Sequence, residues 1–224
     1  MDKKFRVPRI WSNKELEKFA HLFYGKGVNV SGWKDIDKEG RKYKDYFTNI
    51  SEYWITNYKS EARGFQGDQE NEIFLDLEEN LDKNMYEKFD MVFNHTVLEH
   101  VFEVNKAFEN LCNLSNDIVI VVLPFLQEQH AEYGDYWRFT PLAVEKLFVK
   151  NNCELLYINY NDAKNDSIYI FAIGSKNSSK WNQIKEESSN QLNNIDSFML
   201  GTNIIKNSFF DRVKVKIKSM FKNK

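Results

Sequence analysis

The sequence predicts an α/β domain whose sheet is mostly parallel, with helices on both faces and an antiparallel hairpin at one end. Two observations predict this fold class. Residues 89–123 read as strand, helix and strand with short links, which is a βαβ unit. The last two predicted strands, 153–160 and 167–174, are joined by only six residues. A link that short can join antiparallel strands but cannot provide a parallel crossover.

The apolar pattern defines the βαβ unit. The run 89–94 ends abruptly in polar residues, as a buried strand does where it leaves a sheet. The run 118–123 is six consecutive aliphatic residues, which is typical of a parallel strand covered on both faces. Between the two runs, apolar residues recur at helical spacing, at Val104, Ala107, Phe108 and Leu111.

Further elements are predicted before and after this unit. Ser12 and Glu15 form a capping box, which predicts an N-terminal helix over 12–24. Three more strands are expected near 27–31, 52–58 and 73–77, and residues 32–50 carry no convincing helical stripe. Thr140 followed by Pro141 predicts the start of another helix.

The C-terminal third of the chain changes in composition. Residues 1–175 hold the predicted α/β domain, and residues 176–203 read as a polar linker with one polar helix. Residues 204–224 predict a basic amphipathic helix, because apolar residues share one helical face and seven basic residues stand against Asp211 alone. Such a helix suits a membrane surface, a partner protein or the protein's own core.

Two segments carry a family resemblance. FDMVFNHTVLEHV (residues 89–101) resembles the fourth strand and following turn of class I S-adenosylmethionine-dependent methyltransferases. The later DYWRFT, residues 135–140, resembles a subgroup (methyltransferase type 11-like) often linked to cell-surface glycan synthesis. The resemblance covers residues 26–175 and implies a Rossmann-like methyltransferase fold, S-adenosylmethionine as cofactor and methyl transfer to a small or glycan-like acceptor.

The resemblance also implies a donor site at the strand ends. In that family a glycine-rich turn follows the first strand, and an acidic residue after the second strand holds the ribose. This chain has one glycine in the turn NVSGWK (residues 29–34) and Asn57 at the acidic position. The implied donor residues are Asn29, Ser31, Gly32, Asn57, Asp76, Asn94, His95 and Thr96. The altered turn leaves two alternatives open: a non-catalytic scaffold protein that has lost the donor, or a related enzyme that acts on an activated sugar.

The densest polar and aromatic cluster, residues 130–139, predicts the acceptor side. Tyr133, Tyr136 and Arg138 are candidates for binding the acceptor, with Arg138 suited to an anionic group. His130 is the candidate base for an acceptor hydroxyl, and Asp135 is expected to orient it or act in its place. The alternative is a folded lid with Arg138 in a structural ion pair. No metal site is expected, because the four histidines show no close ligand spacing.

Composition limits the remaining classes. A net charge of -2 gives no overall preference for nucleic acid. The opening MDKKFRVPRIW has no apolar stretch typical of a signal peptide, and no run approaches the ~20 apolar residues needed to span a bilayer. We therefore expect a cytoplasmic protein, with peripheral contact to the inner face of the membrane if the C-terminal helix binds lipid.

Overall fold

The protein forms a seven-stranded mixed sheet. The computed structural model describes residues 3–59, 64–67, 70–130, 134–161, 166–192, 195, 200–201 and 213. The strands are β1 (Gly25–Val30), β2 (Ile50–Asn57), β3 (Glu72–Phe74), β4 (Phe89–His95), β5 (Ser115–Leu126), β6 (Glu154–Tyr160) and β7 (Ile168–Ser175). Their order is β3-β2-β1-β4-β5-β7-β6, and β7 alone runs antiparallel to its neighbours. The predicted fold class, including the terminal antiparallel hairpin, is confirmed.

Strand register brings the ends of the central strands together. Val30 at the end of β1 pairs with Asn94 of β4, and His95 of β4 pairs with Val122 of β5. Because these strands are parallel, the residues that follow them emerge at the same edge of the sheet. The polar segments after β1, β4 and β5 therefore become neighbours.

Helices cover both faces of the sheet. They are α1 (Lys3–Phe19), α2 (Val104–Leu114), α3 (Pro141–Lys150) and α4 (Asn182–Leu192). α2 and α3 bury Phe108 and Phe148 against one face, and α1 buries Phe19 against the other. α3 begins as predicted, because Thr140 Oγ1 accepts a hydrogen bond from the backbone N–H of Ala143.

The N-terminal helix differs from the prediction. It begins at Lys3 and ends at Phe19, with a short 3₁₀ turn over Ala20–Leu22, where the sequence predicted a helix over 12–24. Ser12 lies inside α1 and does not cap it. Its hydroxyl donates to the backbone carbonyl of Arg9 one turn earlier and also contacts His95 at 2.9 Å. A serine that bonds back within a helix gives the same local sequence signal as a cap.

The connection between β1 and β2 contains no α-helix, in agreement with its sequence. Residues 31–49 are all described, and two buried aspartates hold them together. Asp35 accepts from the hydroxyl of Tyr53 at 2.8 Å, and Asp37 accepts from the hydroxyl of Tyr46 at 2.7 Å. Burial raises the pKa of Asp35. Side-chain hydrogen bonds thus hold this connection in place of the backbone hydrogen bonds that a crossover helix would have formed.

The segment expected to be a polar linker contains a packed helix. Trp181, just before α4, and Ile184 within it are buried in the core, and Ser188 Oγ accepts from the backbone N–H of Ile158 at 3.4 Å. α4 thereby covers β6, which is an edge strand. The division of the chain into domains stays a prediction. The predicted helix over 204–224 lies outside the described residues apart from Val213. None of the described helices is long and apolar enough to span a bilayer.

Candidate functional site

The strand order predicts where a ligand binds. β1 and β4 are neighbours, and the chain proceeds outward from them in opposite directions along the sheet. Open α/β sheets bind ligands outside the carboxyl ends of the strands at such a switch point. The segments at this edge are the turn after β1, the turn after β4 and the loop after β5.

The turn after β1 has an unusual backbone. Ser31, Trp33 and Asp35 have φ values of 56°, 51° and 57°, in the left-handed region that most residues avoid. Gly32 lies between them, where a Cβ atom would stand 2.6 Å from Nδ2 of Asn29. Asn29 is itself buried and donates to Asp35 at 2.7 Å. Asn29 and Gly32 therefore define the shape of the turn, and whether they also contact a donor stays a prediction.

Asn57 is committed to the same turn. Its Oδ1 accepts from the backbone N–H of Trp33 at 2.7 Å, and its Nδ2 donates to the Trp33 carbonyl and to Glu72 Oε1. Both amide hydrogens and the oxygen are thus engaged within the protein. This arrangement weighs against the predicted ribose contact, because a ribose would have to displace one of these bonds.

The end of β4 lies directly across the switch point. Asn94 is fully buried, and its Nδ2 donates to the Val30 carbonyl at 3.1 Å. Its Oδ1 is buried and has no hydrogen-bond partner among the described residues. A buried oxygen without a hydrogen-bond partner is energetically unfavourable. Among the predicted donor-site residues, Asn94 therefore has an acceptor that a ligand could satisfy.

The other predicted donor residues are placed differently. His95 lies against α1, with Nε2 2.9 Å from Ser12 Oγ and Nδ1 3.2 Å from Thr96 Oγ1. Burial, followed by the charge of Arg9, lowers the pKa of His95. Thr96 has a φ of 53° at the chain reversal after β4. Asp76 is half-buried and accepts from the backbone N–H of Glu78, which forms a local turn. Their contacts with a donor stay predictions.

A second group forms where the turn after β4 meets the loop after β5. Glu99 is completely buried, and both of its carboxylate oxygens lack a hydrogen-bond partner among the described residues. Burial raises its pKa to about 7. His100 Nε2 lies 3.8 Å from Glu99 Oε1, and the His100 and His130 rings are 5.1 Å apart. Burial lowers the pKa of His100. Only the fold brings His130 to Glu99 and His100, which lie 31 and 30 positions before it in the sequence.

Asp135 and Arg138 form a clamp within the loop. The two guanidinium nitrogens of Arg138 donate to the two carboxylate oxygens of Asp135 at 2.6 and 2.7 Å. The remaining N–H groups of Arg138 donate to the backbone carbonyls of Gln127, Glu128 and Trp137. All five donors are therefore used inside the loop. The geometry favours the structural ion pair over the predicted anion-binding role of Arg138.

The clamp also defines what Asp135 can do. Hydrogen bonding from Arg138 lowers the pKa of Asp135 to about 2, so it is a poor base near neutral pH. Its Oδ2 accepts from the backbone N–H of His130 at 2.8 Å and lies 3.4 Å from His130 Nδ1. Of the two predicted roles, the geometry favours orienting His130 over acting in its place.

Exposed aromatic side chains border this group. Phe102, Tyr136 and Trp137 are exposed by 59%, 51% and 38%, and the Phe102 ring lies 5.4 Å from that of Tyr136. The backbone N–H of Tyr136 donates to the Glu99 carbonyl at 2.7 Å, which joins this aromatic patch (Phe102, Tyr136, Trp137) to the buried group. Tyr133, the other predicted acceptor residue, lies outside the described residues. Phe102 was not foreseen, because it stands 34 positions before Tyr136.

Comparison with known proteins supports the fold. We found no match to a protein-family profile and none to a curated protein. A proposed methyltransferase from Bacillus halodurans C-125 has a TM-score of 0.55 at 11% identity, over 73% of this chain and 97% of its own. The magnesium protoporphyrin IX methyltransferase from Synechocystis PCC 6803, solved with bound S-adenosylmethionine, has a TM-score of 0.51 at 11% identity, over 78% and 82%.

A third structure is the 1,6-didemethyltoxoflavin-N1-methyltransferase of Burkholderia thailandensis, solved with bound 1,6-didemethyltoxoflavin and S-adenosylhomocysteine. It has a TM-score of 0.52 at 14% identity, over 77% of this chain and 83% of its own. At such low identities these similarities show the fold alone. The chain has the Rossmann-like fold of class I S-adenosylmethionine-dependent methyltransferases.

Proposed function

We propose that this protein transfers a methyl group from S-adenosylmethionine to a small, glycan-like acceptor. Structures that share the fold hold S-adenosylmethionine or S-adenosylhomocysteine. The observation that carries the proposal is Asn94, whose buried amide bridges β1 and β4 at the switch point and keeps one acceptor oxygen unpaired. The donor carries an ammonium group on its methionine part, and a hydrogen bond from that group would satisfy the Asn94 oxygen.

The acceptor half of the proposal rests on the loop after β5. A sugar ring has apolar faces that pack on aromatic rings, and the exposed aromatic patch offers such rings beside polar groups. Methyl transfer to a hydroxyl also needs a route for the departing proton. His130, whose backbone N–H donates to Asp135, lies in the same loop as Tyr136 and Trp137 and is the residue that we propose receives it. Turnover of the His130→Ala protein at saturating donor would measure this role.

A second candidate function has its own observation. Asn57 lies at the position where the resembled family holds the ribose. Its side-chain amide is fully hydrogen-bonded, to the Trp33 backbone and to Glu72. A protein that retains the fold but no longer binds the donor would need no ribose contact. This non-catalytic scaffold function predicts that S-adenosylhomocysteine binds no better than adenosine does.

Calorimetry on the full chain separates the two functions. We expect S-adenosylmethionine and S-adenosylhomocysteine to bind more tightly than adenosine, because only they carry the ammonium group that reaches Asn94. Asn94→Leu should weaken both at least tenfold, since a lost hydrogen bond to a charged group costs about 1.5–3 kcal/mol. Asn116→Leu is the matched control, because Asn116 is exposed at the opposite end of β5. Equal affinity of wild type and Asn94→Leu for S-adenosylhomocysteine would contradict the proposed role of Asn94 in the donor site.

We also propose that the basic segment 204–224 binds anionic membranes. The apolar helical face that its sequence predicts and its seven basic residues carry this idea, which is independent of methyl transfer. The full chain should sediment with anionic vesicles but not with neutral ones. Ile217→Asp with Phe221→Asp should abolish sedimentation, because both changes place charge on the apolar face. Unchanged sedimentation of that variant would refute membrane contact through this face.

A further inference from the structure

Glu99 is a buried carboxylate that the donor site does not explain. It is 0% exposed, and neither of its oxygens has a hydrogen-bond partner among the described residues. An unpaired buried carboxylate is strongly unfavourable, so it must either hold a proton or face a cation.

The hydrogen bonding of His100 determines which of its ring nitrogens faces Glu99 with a lone pair. Its Nδ1 lies 2.6 Å from the Gly134 carbonyl oxygen, and because that oxygen can only accept, Nδ1 carries the proton. The lone pair of neutral His100 is therefore on Nε2, which lies 3.8 Å from Glu99 Oε1. Two electron-pair donors face one another across this gap, an arrangement that a proton or a metal ion between them would stabilise.

His130 adds a third ligand from another loop. One ligand atom each from Glu99, His100 and His130 all lie within 4.8 Å of one another. His100 Nδ1 donates to the Gly134 carbonyl at 2.6 Å, and a carbonyl in this position orients an imidazole that binds a metal. Asp135 accepts from the backbone N–H of His130 at 2.8 Å, which holds the part of the loop that carries the third ligand.

We propose that Glu99, His100 and His130 form a zinc site with an open fourth position. Two imidazoles and one carboxylate suit Zn²⁺, whereas Mg²⁺ and Ca²⁺ prefer oxygen ligands throughout. Tetrahedral zinc with bonds of ~2.0–2.2 Å needs ligand atoms roughly 3.4 Å apart. The 3.8 Å between Glu99 and His100 is close to that separation, and the widest pair of ligand atoms must approach by up to about 1.4 Å.

Access and charge are compatible with an ion. The side chains of His100 and His130 are 13% and 28% exposed, so the ion can enter from solvent. Arg138 would repel a metal ion little, because its charge is already neutralised by Asp135. Arg9 is then the positive group that acts most strongly on Glu99. A neutral imidazole has a single lone pair, so His130 bound to zinc cannot also take the acceptor's proton. With zinc bound, the metal itself would lower the pKa of an acceptor hydroxyl in the open position, and the proton would pass to solvent; this step alone rests on the proposed function.

Calorimetry with zinc chloride tests the site in the full, chelator-treated chain. We expect one equivalent of zinc to bind, with magnesium at least 100-fold weaker. Glu99→Gln, which keeps the shape of the side chain, and His130→Asn should each weaken zinc at least 100-fold. His21→Asn is the matched control, because His21 is exposed on the turn after α1, and its zinc affinity should equal that of wild type.

Two further measurements keep the result interpretable. Far-UV circular dichroism and thermal unfolding check that each variant is folded, and cobalt in place of zinc should give the absorption bands of a tetrahedral site. Because the buried thiols of Cys112 and Cys153 could also bind zinc, the Cys112→Ala, Cys153→Ala protein should retain full affinity. Failure of the folded wild type to bind zinc, or equal affinity in wild type, Glu99→Gln and His130→Asn, would overturn the proposal. Titration with S-adenosylhomocysteine is independent of this outcome and tests the donor site alone.

Discussion

Gly174→Ala is expected to lower the free energy of unfolding by about 3 kcal/mol, although alanine is a small residue. Gly174 lies in β7, and a Cβ atom there would stand 2.3 Å from a ring carbon of Phe148 on α3. Phe148 is fully buried and packs edge to face on Phe108, so it has little room to move. The loss would be a large part of a typical total stability of about 5–15 kcal/mol. Urea unfolding of both proteins measures it.

Gly27 in β1 provides the matched control. A Cβ atom at Gly27 would first meet the terminal methyl of Met91 at 2.9 Å, and a flexible methionine end can rotate away. We expect Gly27→Ala to change stability by less than about 1 kcal/mol. Adding Phe148→Leu to Gly174→Ala should restore part of the loss, because the smaller side chain leaves room for the methyl group. Similar losses for Gly174→Ala and Gly27→Ala would show that the contact with Phe148 does not limit stability.

Arg138→Ala is expected to lower the free energy of unfolding by about 3 kcal/mol at neutral pH. The Asp135 side chain is only 2% exposed, and removing Arg138 leaves its carboxylate buried without a counter-charge. The same change removes the bonds from Arg138 to the backbone carbonyls of Gln127, Glu128 and Trp137. The loop after β5 should therefore loosen, and loss of acceptor binding would follow from that loosening.

The pH dependence of this loss has a defined sign. Asp135 has a folded-state pKa of about 2 against 3.8 for the free side chain, so its stabilising contribution is present above pH 3.8 and disappears as the pH falls through about 2. The shift corresponds to about 2 kcal/mol. Arg138→Ala should therefore cost most near pH 7 and least near pH 2. Unfolding monitored at several pH values gives the profile.

Lys106→Ala is the matched control for the clamp. Lys106 pairs with Glu109 at the same sequence spacing, and both basic side chains are 27% exposed. The two pairs differ in the exposure of the acidic side chain, which is 48% for Glu109 and 2% for Asp135. We expect Lys106→Ala to cost less than about 0.5 kcal/mol, as exposed pairs do. An equally small cost for Arg138→Ala would contradict the structural role of the clamp.

The fold was predictable wherever the signal was local. The aliphatic run 118–123 and the six-residue link before β7 each permit one structure, because burial on both faces and chain length leave no alternative. The Thr140-Pro141 start was likewise correct, since a cap acts within one turn. Ser12 misled because its partner His95 is 83 positions away, and a serine that bonds back within a helix resembles a cap in sequence.

The candidate site divides in the same way. The sequence by itself determined that polar side chains follow β1, β4 and β5, because the ends of parallel strands share one edge of a sheet. Only the tertiary structure decided which contacts those side chains make. It committed Asn57 to the turn after β1 and brought His130 to Glu99 and His100. The physical reason is that hydrogen bonds and charges act over a few ångströms in space, and residues 24 to 31 positions apart reach that distance only when the sheet has formed.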